Sequence, residues 1–249
     1  MSLAGNLRTV LGLVLIVIIV YLIYNYITAK EYHLSKLEPA SKAIVIDGSK
    51  LPVSQGAANY AYSIWFYVND WGVDLAQTKP LLVRGKGGVS NPSITLAPYE
   101  NNINVKITTY PTNAVSAAAS DLTSASASAG STTHPCTIRN FPLQKWVNLI
   151  ISLNGRTLDI YIDGKLVRTC VLPGVAKVDP TANVNVTPGG GFDGYTSNLQ
   201  YFAYPLNPQE AYNIYKDGPG TSGLFGFFDK YKLKVSYLVD NQEKGSISI

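Results

Sequence analysis

Short apolar runs, each bounded by Gly, Pro, Asn or Asp, recur along the chain from residue 43 onward. Two of them, NINVKITT and TLDIYID, alternate apolar and polar residues with the period of two that a half-buried strand requires. Runs of this length and spacing are typical of an antiparallel sandwich. The predicted strands cover residues 43–48, 60–68, 80–85, 93–98, 102–110, 146–153, 157–164 and 165–172.

Two turn dipeptides divide the last three of these strands. Asn154-Gly155 and Asp163-Gly164 are the pairs that type I′ hairpin turns prefer, because both central residues of such a turn need a positive φ. We therefore expect these strands to form a meander of consecutive antiparallel neighbours.

One short helix is predicted over residues 207–215. Asn207 is a suitable N-cap, Pro208 suits the first helical position, and Glu210 stands where a capping box places its acidic residue. Gly218 and Pro219 end the helix.

The N-terminal segment, residues 1–29, contains the longest apolar run of the chain. Residues 10–24 are uncharged, and with the following NYITA the run reaches the length of about 20 residues that spans a bilayer. We interpret it as a single-pass membrane anchor in contact with lipid, while a cleaved signal peptide is the alternative. Anchor residues facing lipid or its interface include Val10, Leu15, Ile19, Tyr21 and Tyr24.

Three further segments complete the predicted organisation. Residues 30–42 are expected to form a stem leading to a sandwich domain over 43–223. Within that domain, residues 112–133 consist almost entirely of Ala, Ser and Thr, which cannot build a core, so we expect a long surface insertion. The aromatic and then alternating tail, 224–249, is predicted to add a strand or to dock on a neighbouring molecule.

Charge and cysteine content limit the function classes. The chain of 249 residues is 46% hydrophobic, 14% charged and carries a net charge of +4 without basic blocks, which argues against nucleic-acid binding. Arg8 precedes the apolar run, whereas several lysines follow it, and this bias favours a cytoplasmic domain. Cys136 and Cys170 are either a disulfide, which would indicate an oxidising compartment, or two reduced thiols.

Several motifs together resemble the concanavalin A-like, laminin G-like jelly-roll superfamily. They are SIWFYV, LLVRG, the long segment from CTIRNF to RTCVL, and GGFDGYTSNLQYFAYPLNPQEAYNIYKDGP, and the resemblance covers residues 43–219. It is strongest to membrane-anchored versions encoded by large DNA viruses of algae and protists. The resemblance implies an all-β jelly-roll sandwich whose short helix caps one end.

The superfamily that the chain resembles includes both glucan hydrolases and non-catalytic binding modules. A pair of catalytic carboxylates would distinguish a hydrolase from a binding module. Retaining hydrolases need two carboxyls about 5 Å apart. The chain has no Glu-x-Asp-x-Glu strand, and Glu100 and Glu210 lie far apart in the sequence. A Ser-His-acid triad would have to use His134, and no Gly-x-Ser-x-Gly elbow accompanies it. Two distant cysteines and two distant histidines give no cluster of zinc ligands. We therefore expect no enzymatic activity, with a degenerate glucanase as a remaining alternative.

Binding residues are expected in the loops. The resemblance implies that a calcium ion could lie at the rim of the sandwich, and the loop carboxylates that suit it are Asp70, Asp74 and Asp193; ordinary turn aspartates are the alternative, and no other cofactor is expected. Aromatic rings that could stack on a glycan are Trp71, Tyr99 and Tyr110.

Two functions from different classes follow. The first is a structural protein of a large icosahedral virus, a minor capsid or membrane component that is anchored in the inner virion membrane and contacts capsid proteins. The alternative is a lectin-like module that binds carbohydrate at the cell or virion surface. The alternative predicts exposed aromatic rings in a groove and an oxidised Cys136–Cys170 pair.

Overall fold

Two antiparallel sheets pack face to face in the computed structural model, which describes residues 12–24, 33–53, 58–111, 131–220, 234–239 and 242–248. Helix α1 is described over residues 12–24, and helix α2 spans Pro208–Asp217. The strands are β1 (His33–Ser35), β2 (Glu38–Pro39), β3 (Ile44–Ile46), β4 (Tyr60–Val68), β5 (Lys79–Lys86), β6 (Val89–Leu96), β7 (Ile103–Thr109), β8 (Thr132–Ile138), β9 (Trp146–Asn154), β10 (Thr157–Ile162), β11 (Lys165–Val171), β12 (Val184–Val186), β13 (Gly194–Phe202), β14 (Lys234–Val239) and β15 (Gln242–Ser248).

The sheets have a jelly-roll arrangement of non-consecutive neighbours. Sheet A follows the order β1-β13-β4-β9-β10-β11, with β2 also paired to β13, and sheet B follows β3-β12-β5-β6-β7-β8. From β2 onward the neighbours in both sheets are antiparallel. The edge strands β8 and β11 lie at the same side of the sandwich, where a disulfide joins Cys136 to Cys170.

Alternation along the strands explains why the sheets face each other. In β4, Tyr60, Tyr62, Ile64, Phe66 and Val68 belong to the buried core between the sheets. The intervening residues of the same strand point to the outer face of sheet A, since successive side chains of a strand alternate between faces. Burial of the inward set is the main stabilising contribution of such a sandwich.

The hairpin prediction is correct at one turn and wrong in detail at the other. Asp163 and Gly164, between β10 and β11, have φ values of 50° and 72°, as type I′ requires. Between β9 and β10, Asn154 pairs with Thr157, so the central residues are Gly155 and Arg156. Only Gly155 has a positive φ there, 58°, which is the pattern of a type II′ turn.

The predicted stem is part of the sandwich. Residues 33–39 contribute β1 and β2, which pair with β13 at the edge of sheet A. Ala40 is fully buried, and its backbone N–H donates to the Gly194 carbonyl at 2.8 Å. The strands β8 and β12 were also absent from the sequence prediction. The expected surface insertion, 112–133, lies outside the described residues up to residue 130, and its last two residues begin β8.

Helix α2 lies against the outer face of sheet A instead of capping one end of the sandwich. The Tyr215 ring stacks on Trp65 with centroids 5.6 Å apart. Asn198 Nδ2 donates to the Gly218 carbonyl at 3.1 Å, and Ser152 Oγ exchanges hydrogen bonds with the backbone of Leu206. This segment therefore closes the outer surface of the central strands of sheet A.

The helix itself begins as the sequence predicts. Asn207 Oδ1 accepts from the Glu210 backbone N–H at 2.9 Å, and Glu210 Oε2 accepts from the Asn207 N–H at 2.8 Å. The capping box is thus complete.

Outside the sandwich, the described residues form helix α1 near the N-terminus and a hairpin near the C-terminus. The large apolar side chains of residues 13–24 in α1 are 46–67% exposed. Within the described part of the chain, no helix combines the length and apolarity needed to cross a membrane. In the tail, β14 and β15 form an antiparallel hairpin of their own, while the rest of residues 224–249 lies outside the described residues.

Candidate functional site

One end of the sandwich is formed by loops that follow from the strand register. We call this end the loop rim and define it as residues 69–78, 97–102, 139–145, 163–164 and 187–193. Backbone hydrogen bonds join the loops to one another and to β4: Asn69 N–H donates to the Asp193 carbonyl at 2.9 Å, Phe141 N–H to the Asn101 carbonyl at 2.9 Å, and Gln144 N–H to the Val68 carbonyl at 3.1 Å. The rim is therefore a connected surface.

A buried lysine and two aromatic rings pack together at the loop rim. Trp71 packs edge-on against Phe141, with ring centroids 5.7 Å apart, and Lys79 Nζ lies 4.9 Å from the Trp71 ring centroid. Lys79 is 1% exposed and donates to the Asp74 carbonyl at 2.8 Å. Burial lowers the pKa of the Lys79 amino group, and the nearby Asp74 charge opposes that shift.

Beside this cluster, a cleft opens between the edge strands of the two sheets. It has a volume of about 510 Å³ and is lined by residues 137–142 together with Ile162, Val167 and Arg168. The Cys136–Cys170 disulfide, with Cα atoms 6.3 Å apart, ties β8 to β11 directly next to it. The volume lies in the range of small-molecule sites, which are mostly apolar with a few fixed polar groups.

The lining of the cleft combines apolar side chains with two cations. Phe141 and Ile138 are buried, whereas Val167 is 47% exposed. Arg168 Nη1 donates to the Thr137 carbonyl at 2.6 Å, which fixes its guanidinium across the gap between β11 and β8. Among the described residues, neither Arg139 nor Arg168 forms an ion pair.

The carboxylate closest to the cleft in sequence is already engaged. Asp163 Oδ2 lies 3.4 Å from Lys145 Nζ, and Asp163 Oδ1 accepts from the Asn148 N–H at 3.0 Å. The Asp163 charge is thus balanced locally. The two arginines give the cleft a net positive character.

The three candidate calcium ligands all lie on the loop rim. Asp70 Oδ1 accepts from the Gly72 N–H at 2.7 Å, and Asp193 Oδ2 accepts from Asn69 Nδ2 at 3.0 Å. Asp74 has a φ of 51° and contributes its carbonyl to Lys79. Within the part of the chain that the structure describes, no group of three or more acidic, histidine or cysteine residues is arranged to hold a metal ion.

The three candidate stacking aromatics differ in accessibility. Tyr99 is 68% exposed, on the rim loop whose Asn101 donates its side-chain amide to the Phe141 carbonyl. Trp71 is half-buried, and Lys79 Nζ lies 4.9 Å from its ring centroid, so this ring is less accessible than that of Tyr99. Tyr110 is also half-buried, lies at the opposite end of β7, and has Lys177 Nζ 5.6 Å from its ring centroid.

The predicted anchor residues and the two cysteines lie in different parts of the chain. Leu15, Ile19, Tyr21 and Tyr24 lie in α1 with exposed side chains, and Val10 lies outside the described residues. Cys136 and Cys170 form a disulfide, one of the two states that the sequence left open, and both are buried.

The two glutamates that a degenerate glucanase would use are engaged in local structure. Glu100 accepts from the side-chain amide of Asn102, and Glu210 completes the α2 capping box.

The sequence did not indicate three arginines of the sandwich. Arg139 lies in the loop after β8 and Arg168 lies in β11, so no local motif contains both. Arg84 is 3% exposed between the sheets, where it donates to Tyr62 Oη at 3.1 Å and to the Ala182 and Pro180 carbonyls at 3.2 and 3.0 Å. The only available signal for Arg84 was an isolated cation in an otherwise apolar strand.

Comparisons with known proteins agree with this architecture. A family model described as the concanavalin A-like lectin/glucanases superfamily matches residues 42–211. No curated protein matches the chain. Among solved structures, the receptor-binding domain of botulinum neurotoxin D aligns with a TM-score of 0.54 at 12% identity, over 74% of this chain and 44% of that chain.

A second similar structure has a named ligand. The ligand-binding domain of botulinum neurotoxin serotype D in complex with N-acetylneuraminic acid aligns with a TM-score of 0.52 at 12% identity, over 74% of this chain and 42% of that chain. This chain therefore spans less than half the length of these domains. At such identity the likeness establishes the fold alone.

Proposed function

The chain belongs to the concanavalin A-like lectin/glucanases superfamily, and on that premise we propose that it is a non-catalytic protein that binds carbohydrate at its loop rim. The observation that carries the proposal is the cleft between β8 and β11, whose volume of about 510 Å³ accommodates one or two sugar rings. The engaged states of Glu100 and Glu210 support a binding role without hydrolysis.

The composition of the cleft supports sugar recognition. Ile162 and Val167 offer apolar surface for the C–H face of a pyranose ring, and the side-chain amide of Asn140 has no partner among the described residues. Tyr99 adds an exposed ring on the same rim. Apolar faces with a few well-placed hydrogen-bonding groups are what oriented binding of a small polar ligand requires.

We further propose that the domain is tethered to a membrane and displayed on its oxidising side. The run of residues 10–29 supports a tether, because it is uncharged and largely apolar over the length that a lipid-embedded helix requires. The Cys136–Cys170 disulfide supports exposure outside the cytoplasm. The lysines after the apolar run favour the opposite orientation, so the cysteine redox state in the native source distinguishes the two.

A second candidate is the structural role in a virion membrane or capsid shell. The observation that favours it is the edge strand β11, on which Leu166, Val167 and Val171 are 50%, 47% and 67% exposed. An exposed apolar edge strand is a surface on which another protein chain can pair. In this reading the partner of the sandwich is a protein, and no sugar binds.

The test is binding of the purified full chain, in detergent, to an array of neutral, carboxylated and sulfated oligosaccharides. The proposal predicts saturable binding to a related group of sugars, with thermal stabilisation of the protein by the same sugars in solution. An absence of both effects at millimolar sugar would refute carbohydrate binding. Crosslinks from Lys145 and Lys165 to other proteins in native membranes or particles would then favour the structural role.

A further inference from the structure

We propose that the cleft between β8 and β11 selects acidic sugars, with Arg139 and Arg168 binding the carboxylate or sulfate of the ligand. This inference rests on the proposed function and specifies the class of carbohydrate. The geometry points to an anion because both arginines line one cleft, and neither forms an ion pair among the described residues.

Arg168 is held in position while most of its hydrogen-bonding capacity remains free. A guanidinium has five N–H donors in a rigid plane. One of them is used by the Thr137 carbonyl at 2.6 Å, and the Arg168 side chain makes no other hydrogen bond within the described residues. A guanidinium fixed at one corner is preorganised to bind an anion, since less side-chain entropy is lost on binding.

Arg139 provides the second cation from the opposite wall. It follows β8 directly and is exposed, and it makes no hydrogen bond to any other described residue. Two guanidinium groups on the walls of one cleft repel each other unless an anion lies between them. A planar carboxylate or a sulfate can accept from both, because arginine binds either group through paired N–H donors.

The surroundings of the pair favour a sugar over a free inorganic ion. Ile162 and Val167 line the same cleft and leave apolar surface beside the cations. Asp163, which would otherwise compete for the arginines, is paired with Lys145 and Asn148. The arrangement thus offers charge recognition at one point and ring packing next to it.

The experiment compares acidic oligosaccharides with their neutral counterparts on the full chain and on matched variants. The acidic probes are a tetragalacturonate and a sulfated galactan tetrasaccharide, together with the sugars that the array selects; the neutral partners are the methyl-esterified and desulfated forms. The test variant is Arg139→Gln/Arg168→Gln. The control is Lys50→Gln/Lys86→Gln, which removes the same charge from two exposed lysines at the opposite end of the sandwich.

Loss of one charged hydrogen-bonding partner weakens binding by about ten- to a hundredfold. We therefore expect the arginine variant to lose acidic-sugar affinity by at least about a hundredfold, and the lysine variant by less than about threefold. Arg168→Lys should recover part of the loss for sulfate and less of it for carboxylate, because lysine lacks the paired donors. A higher affinity for the carboxylated probe than for the sulfated probe, or the reverse, identifies which acidic group the cleft binds.

The outcomes separate this inference from the proposed function. Equal affinity for acidic and neutral forms, or equal losses in the two double variants, would overturn acidic selection and leave carbohydrate binding intact. Binding of no sugar by the full chain would refute both. Circular dichroism and melting temperature confirm that each variant is folded, and both arginines are exposed, so their replacement should leave stability nearly unchanged.

Discussion

The disulfide next to the cleft provides a quantitative test of the architecture. Cys136 and Cys170 are separated by 34 residues along the chain and join the edge strands of opposite sheets. In the chain-entropy account, closing a loop of this length removes about 12.6 cal/mol/K from the unfolded state, or about 3.8 kcal/mol at 25 °C. Replacing both cysteines with alanine should therefore destabilise the domain by about 4 kcal/mol.

For a domain of this size, that loss corresponds to a decrease in melting temperature of about 8–15 °C. The assay is thermal unfolding of wild type and Cys136→Ala/Cys170→Ala, each with and without tris(2-carboxyethyl)phosphine. Reductant should lower the melting temperature of wild type and leave that of the variant unchanged. A decrease below about 3 °C for the variant, or an equal effect of reductant on both proteins, would refute a stabilising cross-link between the sheets.

Three further predictions test the core and the helix. Arg84→Met should cost about 3 kcal/mol in chemical denaturation, because Tyr62 and the Pro180 and Ala182 carbonyls lose their buried donor, whereas the control Lys86→Met should change stability by less than about 0.5 kcal/mol; equal effects would contradict this role. Asn207→Ala should cost about 1 kcal/mol in the same assay by removing the α2 cap, and no loss would mean that the capping box is not formed in solution. Burial raises the pKa of Tyr60 and Tyr62 above the value of about 10 in the unfolded chain, so stability is fully present below pH 10 and should fall as pH rises above it, by up to about 1.4 kcal/mol per pH unit for each tyrosine; reversible appearance of all tyrosinate absorbance near pH 10 in a protein that stays folded would contradict that burial.

The strands that the sequence predicted are those whose inward residues are large and apolar. The run YAYSIWFYV is rich in aromatic and β-branched residues, and the strand predicted from it matches the observed bounds Tyr60–Val68 of β4. Strand β8 was missed because Thr132–Ile138 contains Pro135 and is mostly polar, as an edge strand tolerates. Strand β12 has only three residues, too few to show a period.

The candidate site was less predictable, because it depends on contacts between distant parts of the chain. The rim aspartates could be found from turn composition, since each lies in a loop that follows or precedes a recognisable strand. Arg139 and Arg168 line the same cleft because of the sheet order and the position of the disulfide, and neither of these can be predicted from local sequence. The accessibility of the Trp71 ring could not be predicted for the same reason, because the residue beside it is Lys79 of the next strand.

For helix α2, the sequence predicted the start and end of the helix but not the surface that it covers. Its bounds follow from local capping residues, whereas its position depends on the outer face of sheet A. Trp65, Asn198 and Ser152 contact this segment from three different strands, and no periodicity in the segment itself indicates which surface it covers.

Hydrogen–deuterium exchange of the full chain, with and without the tightest-binding acidic sugar, locates the binding site on the sandwich. A carbohydrate site between β8 and β11 predicts slower exchange of the backbone amides in residues 137–142 and 165–168, on the two walls of the cleft, and little change in residues 172–183 at the opposite end of the sandwich. Slowed exchange confined to that opposite end, or no change in either region at saturating sugar, would contradict a carbohydrate site between β8 and β11.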